Sequence, residues 1–142
     1  MYIADDNRIL TATRYLTSPI GLGHFILVLS FACNIVSATP QGGVVVAGQA
    51  QISQEAHTLT ITQTTANAII NWKSFNIDPG EHARFQQPDN GIILNRINAE
   101  QGASQILGRL SANGTVMLVN TAGILFGKTA QVNVGNIIAS TA

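Results

Sequence analysis

The chain has 142 residues, enough for about one domain with a single modest core. It is 46% hydrophobic and only 10% charged, against roughly 25% charged in an ordinary soluble domain. Seven basic and seven acidic residues cancel, which excludes the basic field that draws a protein to nucleic acid or anionic lipid. Asn, Gln, Thr and Ser supply the polarity instead. That composition suits stacked strands, whose amide side chains can form hydrogen-bonded ladders, and does not suit a helical bundle. Cys33 is the only cysteine, so no intrachain disulfide can form.

Residues 20–38, IGLGHFILVLSFACNIVSA, hold a compact apolar core from about Phe25 to Cys33 and end in the small residues Val36, Ser37 and Ala38. This pattern predicts a helical signal peptide over 1–38, cleaved between Ala38 and Thr39. A retained membrane anchor fits less well. A spanning helix needs roughly 20 apolar residues, and His24, Asn34 and two glycines interrupt this stretch. A lipoprotein site at Cys33 lacks the aliphatic residue expected in Ser30-Phe31-Ala32. Asp5 and Asp6 offset Arg8 and Arg14 ahead of the core, so either translation starts elsewhere or residues 1–19 are an unusual extension.

Beyond Pro40 the chain reads as strands and turns. Val44-Val45-Val46 leads into 49–53 (QAQIS), a polar turn at Gln54-Glu55-Ala56, and then 57–63 (HTLTITQ). The last of these alternates Thr with Leu59 and Ile61, the period of two of a half-buried strand. A hairpin between these segments would close the N-terminal end of a strand stack, whose open edge would otherwise invite aggregation. A strand is expected over 68–77 and a reversal at Asp78-Pro79-Gly80. Short strands follow at 82–87 and 92–97. Residues 104–110 (SQILGRL) are the one candidate for a helix of a turn or two, with Ser104 as its cap. The remaining strands are expected at 115–120, 124–126 and 131–140.

Short strands separated by Gly, Asn and Pro corners fit an antiparallel sandwich or a solenoid. A faint repeat favours the solenoid. Gly80–Gln86 (GEHARFQ) and Gly127–Asn133 (GKTAQVN) share G-x-x-A-x-apolar-polar at an offset of 47 positions, close to two rungs of about 20–25 residues each. The predicted fold is therefore all-β: a right-handed parallel β-helix over 39–142 with an N-terminal hairpin cap. An apolar strand running straight to Ser140-Thr141-Ala142 leaves no polar cap, which reads as a truncated product or a fragment.

Two segments stand out, AIINWKSFNID at 68–78 and NTAGILFG at 120–127. Together they resemble the N-terminal secretion domain of filamentous-haemagglutinin-like and high-molecular-weight adhesins, the exported partners of two-partner secretion. The signature strand is carried by Asn71, Trp72, Phe75 and Asn76. Strand alternation would set Trp72 and Ser74 on one face and Lys73 and Phe75 on the other, and packing in the core or cap is the simplest role for the two aromatics. Asn120, Thr121, Ala122, Gly123 and Ile124 occupy the place of the family's N-P-N-G-I motif, a tight turn in which Asn bonds backbone and Gly takes a left-handed conformation. Thr121 and Ala122 replace Pro and Asn, so the rigid proline is absent. The family's N-P-N-L motif has no counterpart here. The similarity runs from about Gly42 to Thr141.

The resemblance implies an export-recognition module of a Gram-negative bacterium. Such a chain crosses the inner membrane by the Sec translocon and is bound in the periplasm by a dedicated outer-membrane β-barrel transporter, then folds as a β-helix at the cell surface or in the medium. The competing class is a surface-binding module, an adhesin, haemagglutinin or haem-haemopexin utilisation fragment that contacts a host ligand directly. Trp72 is the only tryptophan, so no sugar-stacking platform is legible. Catalysis, a metal and a cofactor are not expected: five acidic residues are spread through 39–142, His57 and His82 lie in different strands, and no nucleophile elbow is present. Nucleic acid is not expected either, since no face interleaves aromatic and basic residues.

Overall fold

A computed structural model describes residues 39–142; the signal-peptide reading of 1–38, including Ala38 of the cleavage pair, falls outside the described residues. Twelve short strands follow in order: β1 (Val44–Ala47), β2 (Ala50–Glu55), β3 (Thr58–Gln63), β4 (Asn67–Trp72), β5 (His82–Gln86), β6 (Ile92–Ile97), β7 (Ser104–Ile106), β8 (Arg109–Ala112), β9 (Thr115–Val119), β10 (Ile124–Phe126), β11 (Gln131–Asn133) and β12 (Asn136–Ser140). Sheet order is β1-β4-β6-β9-β12 on one face, β2-β3-β5-β8-β11 on the second and β7-β10 on a short third. From β3 onward the chain visits the second, first and third faces in turn, and every strand pairs in parallel with its equivalent one rung later. The molecule is a parallel β-solenoid. Asn67 pairs with Ile92, Ile92 with Thr115 and Thr115 with Asn136, spacings of 25, 23 and 21 residues.

The core follows from period-two alternation repeated rung after rung. On the first face Ala68, Ile93 and Val116 stack inward, as do Ile70, Asn95 and Leu118; on the second, Leu59, Ala83 and Leu110 do the same. Ile77 and Ile106 meet on the third face. Their stacking partners in the last rung, Phe126 under Ile106 and Val132 under Leu110, are 39% and 40% exposed, whereas Ile106 and Leu110 are fully buried. The amide ladders expected from composition exist, but they lie inside a corner. Gln87 Nε2 donates to Gln63 Oε1 at 3.0 Å, and each side chain also donates to the carbonyl that opens the next first-face strand, Gln63 to Ile92 and Gln87 to Thr115, both at 3.1 Å. Burial without such partners would cost about 1–3 kcal/mol for each unsatisfied group.

The N-terminal cap is larger than the expected hairpin. β2 and β3 pair antiparallel, with a two-residue loop of Ala56 and His57, and β1 adds separately to the first face, antiparallel to β4. Ala56 has φ 52°, a left-handed value that a Cβ disfavours. Ala56→Gly is therefore expected to raise stability by about 0.5–1 kcal/mol, read as an upward shift of the urea midpoint at constant slope.

Three sequence expectations are corrected. Residues 104–110 form no helix: β7 and β8 occupy them, and Ser104 is buried rather than a cap. Rung stacking overrides local propensity here. Gly108 is needed between these strands, because a Cβ there would collide with the carbonyl oxygens of Asp78 and Glu81. The single 3-10 turn among the described residues lies just before, at Ala99–Gln101, capped by Asn98. The strand over 68–77 stops at Trp72 and resumes only as an isolated bridge at Ile77. The repeat spans two rungs as expected, yet pairing puts Ala83 on Leu110 and Leu110 on Val132, an offset of 49. The shift of two positions keeps the same side chains inward.

The outer surface of the second face is polar. His82 Nε2 lies 2.7 Å from Ser111 Oγ. Partial burial, followed by the guanidiniums of Arg109 and Arg84, lowers the His82 pKa below 6.5. The unfolded chain then binds the proton first, so stability falls as pH drops through 6.5 toward the folded value. The His82 ring resonances should titrate below 6.5 in an NMR pH series, and Arg109→Gln should move that midpoint upward.

Candidate functional site

One corner of the solenoid, between the first and third faces, is built by residues 73–76, 98–103 and 120–123 on successive rungs. Both sequence signatures therefore contribute to this one corner, with the 3-10 turn between them. Periodicity in the primary sequence does not reveal this meeting, because the three corner segments differ in composition and the middle one is longer.

The first rung turns its corner immediately after Trp72. Trp72 and Phe75 both point inward, 3% and 0% exposed, with ring centroids 5.5 Å apart and planes at 81°. The expected alternation between faces fails because the chain bends at Lys73 and Ser74, where Gln41 of the cap takes up the backbone. The Lys73 amide donates to the Gln41 carbonyl, and the Gln41 amide donates to the Ser74 carbonyl, each at 2.9 Å. Edge-to-face contact adds about 0.5–1.5 kcal/mol to the burial of the two rings.

Asn71, Trp72 and Asn76 each tie this strand to the next rung. Trp72 Nε1 donates to Asn95 Oδ1 at 2.8 Å, and Asn95 Nδ2 donates to the Met117 carbonyl at 3.2 Å. The Arg96 Nε–H donates to Asn71 Oδ1 on the outside, and the Gln105 amide donates to Asn76 Oδ1, both at 2.9 Å. Asn95 and Gln105 were not legible as partners. The only signal for Asn95 is a polar residue at an inward position of a strand, which demands a buried donor or acceptor nearby.

The third rung turns on Asn120, which is completely buried. Its Nδ2 donates to the Gly102 carbonyl at 3.1 Å and to Ser104 Oγ at 3.0 Å, while its Oδ1 accepts from the Ala122 amide at 2.9 Å. The Asn120 amide donates to the Ser140 carbonyl at 3.0 Å, and its carbonyl accepts from the Gly123 amide at 2.9 Å. One asparagine thus joins the rung before and the rung after. Thr121 and Ala122 are exposed and neither has positive φ, as a type I turn requires. Gly123 has φ 120°, and its carbonyl accepts from the Ser104 amide before Ile124 enters β10. The turn closes without proline. Thr121→Pro is expected to stabilise the fold by about 0.4–1 kcal/mol through the unfolded state, measured by the same urea titration.

The corner is held by neutral amides and carbonyls, with Lys73, Arg96 and Glu100 at its exposed rim. Such an arrangement locks the geometry of the corner. Among the described residues no group of three or more His, Cys, Asp or Glu side chains could hold a metal ion. Thr39, the other half of the proposed cleavage pair, donates its hydroxyl to Gln54 Oε1 at 3.1 Å and accepts from Gln41 Nε2, so the first described residue is tied to the cap.

The model of the TPS secretion domain family matches residues 36–142. The solved HMW1 secretion domain of Haemophilus influenzae is 40% identical and superimposes with a TM-score of 0.67, over 72% of this chain and 27% of that one. A heme/hemopexin-binding protein of H. influenzae strain Rd is 41% identical over 103 residues, 72% of this chain and 11% of its own length. A second heme/hemopexin-binding protein of H. influenzae is 39% identical over 87 residues, 61% of this chain and 9% of its own. The chain thus spans about a tenth of the curated relatives it matches. A parallel solenoid, a proline-free version of the expected turn and a match across 36–142 lead to one assignment: this chain belongs to the TPS secretion domain family, the export domain of two-partner secretion exoproteins.

Proposed function

We propose that residues 1–38 are a cleaved signal peptide and that residues 39–142 are the segment by which a longer exoprotein is handed to its outer-membrane transporter. The match to a solved secretion domain at 40% identity supports the role of residues 39–142, and the apolar run ending in Val36, Ser37 and Ala38 supports the signal peptide. The chain passes the Sec translocon, is held unfolded in the periplasm, and pairs there with the transporter's periplasmic domains. Strand addition is the physical mode that suits it, since an unfolded strand-former can complete a receptor's sheet edge. Folding outside then buries the apolar stacks and opposes backsliding. Further rungs would cover Phe126 and Val132, in keeping with the much greater length of the relatives. Two of those relatives are named for binding heme and hemopexin. Any comparable binding, or contact with another host-surface ligand, would belong to the longer protein.

The test is expression of the full chain in a Gram-negative host with and without a cognate transporter. Transporter-dependent appearance in the medium with Thr39 as the new N-terminus is the expected result. Periplasmic retention in both strains would sink the proposal.

A further inference from the structure

The outer surface of the second face carries a feature separate from the corner built by residues 73–76, 98–103 and 120–123. Pairing aligns Thr58, His82, Arg109 and Gln131 in one row across four rungs, and Thr60, Arg84, Ser111 and Asn133 in the next. Arg84 and Arg109 stand on neighbouring strands, offset by two residues, which places their Cα atoms about 8 Å apart. Both are exposed, and neither guanidinium has a hydrogen-bond or ion-pair partner among the described residues. Two shallow concavities flank them. One, of about 470 Å³, includes Thr58, His82, Arg109, Thr129 and Gln131; the other, of about 400 Å³, includes Arg84, Gln86, Ser111, Asn113 and Asn133. Glu81 is the one carboxylate on either lining, and it is engaged by His57 Nδ1 at 3.1 Å. Two guanidiniums without an ion-pair partner among the described residues, outnumbering the single carboxylate Glu81 and set among hydroxyls and amides, suit an anionic, hydroxyl-rich ligand.

We propose that this face binds an acidic polysaccharide, a uronate-bearing chain laid across the rungs. Each guanidinium forks onto one carboxylate, and Thr58, Thr60, Gln86, Ser111 and Asn133 exchange hydrogen bonds with sugar hydroxyls. Carboxylate geometry matches the planar arginine fork. A nucleic acid is disfavoured, because no aromatic side chain faces outward here and two cations neutralise too few phosphates to hold a duplex. The aromatic stacking that sugar sites often use is absent too, since Trp72 is buried in the core. Recognition therefore rests on charge and hydroxyl matching alone. Arg96, on the outer surface of the other face and bonded to Asn71, provides an internal control.

The measurement is calorimetric binding of an oligogalacturonate to the full chain at about 50 mM and 200 mM salt, the range over which phosphate-type contacts weaken. A neutral maltodextrin of equal length and a DNA duplex serve as comparison ligands. Arg84→Gln and Arg109→Gln should each weaken oligogalacturonate binding about fivefold, the upper end for an exposed ion pair. The double variant should lose about 25-fold, since the two sites are separate enough to act nearly independently. Arg96→Gln should bind as the parent does, although it gives up the bond to Asn71, and the Arg84 and Arg109 variants should share the parent's urea midpoint within error. The proposal is overturned by any of three results: a double variant that binds like the parent, equal binding of maltodextrin, or equal binding of DNA with the same dependence on Arg84 and Arg109.

Discussion

Asn120→Ala lowers the unfolding free energy by about 3 kcal/mol, the expected loss when a buried amide that satisfies several neighbours is removed. The substitution strips the Ala122 amide of its acceptor, and the Gly102 carbonyl and Ser104 hydroxyl of their donor. Solvent can reach Ala122, which is exposed, so that amide recovers a partner from water. Ser104 is only 2% exposed and recovers little. Asn120→Asp separates the roles: it keeps the acceptor for Ala122 and abolishes both donors, so it should be at least as damaging as Ala. Urea unfolding at neutral pH reads both. A cost for Asn120→Ala under about 1 kcal/mol, the range of an exposed polar contact, would mean that the three bonds do not hold the turn.

Phe75→Ala is the second large effect, expected at about 3–5 kcal/mol for a fully buried phenylalanine. The ring is 0% exposed and meets Trp72 edge to face, at a corner where Gln41 crosses from the cap. Truncation leaves a void that the backbone cannot close without releasing the bridge between Gln41 and Ser74. Phe75→Leu should cost about 1–1.5 kcal/mol, because it keeps most of the volume and loses only the aromatic contact. Trp72 is the only tryptophan, so fluorescence excited beyond the absorption of Tyr2 and Tyr15 reports on this corner. A fluorescence transition coincident with far-ultraviolet circular dichroism would show that the corner unfolds with the whole stack. An earlier fluorescence transition would show that it opens by itself.

Both effects rest on residues that were visible as signatures long before their partners were. Asn120 announced a turn, because an Asn three positions before a Gly and next to a short apolar strand has few other uses. Trp72 and Phe75 announced burial by composition. Neither announced that Asn120 would reach back to Ser104 and forward to Ser140, or that Asn95 would sit in an aliphatic stack to receive the indole N–H. These contacts join residues 16 to 23 positions apart, and nothing local to either partner encodes the distance.

The strand content, the hairpin at 50–63, the solenoid class and its two-rung repeat were all determined by the sequence, because each depends on short-range alternation and turn chemistry. Only the tertiary structure decided the rest. Stacking made β7 and β8 out of a segment with helical potential, since rungs above and below offered backbone partners that an isolated helix turn could not match. It bent the signature strand so that two aromatics three residues apart share one interior. It also gathered Arg84 and Arg109 onto a single outer face, because rung-to-rung pairing brings residues 25 positions apart to neighbouring strands, about 8 Å from each other.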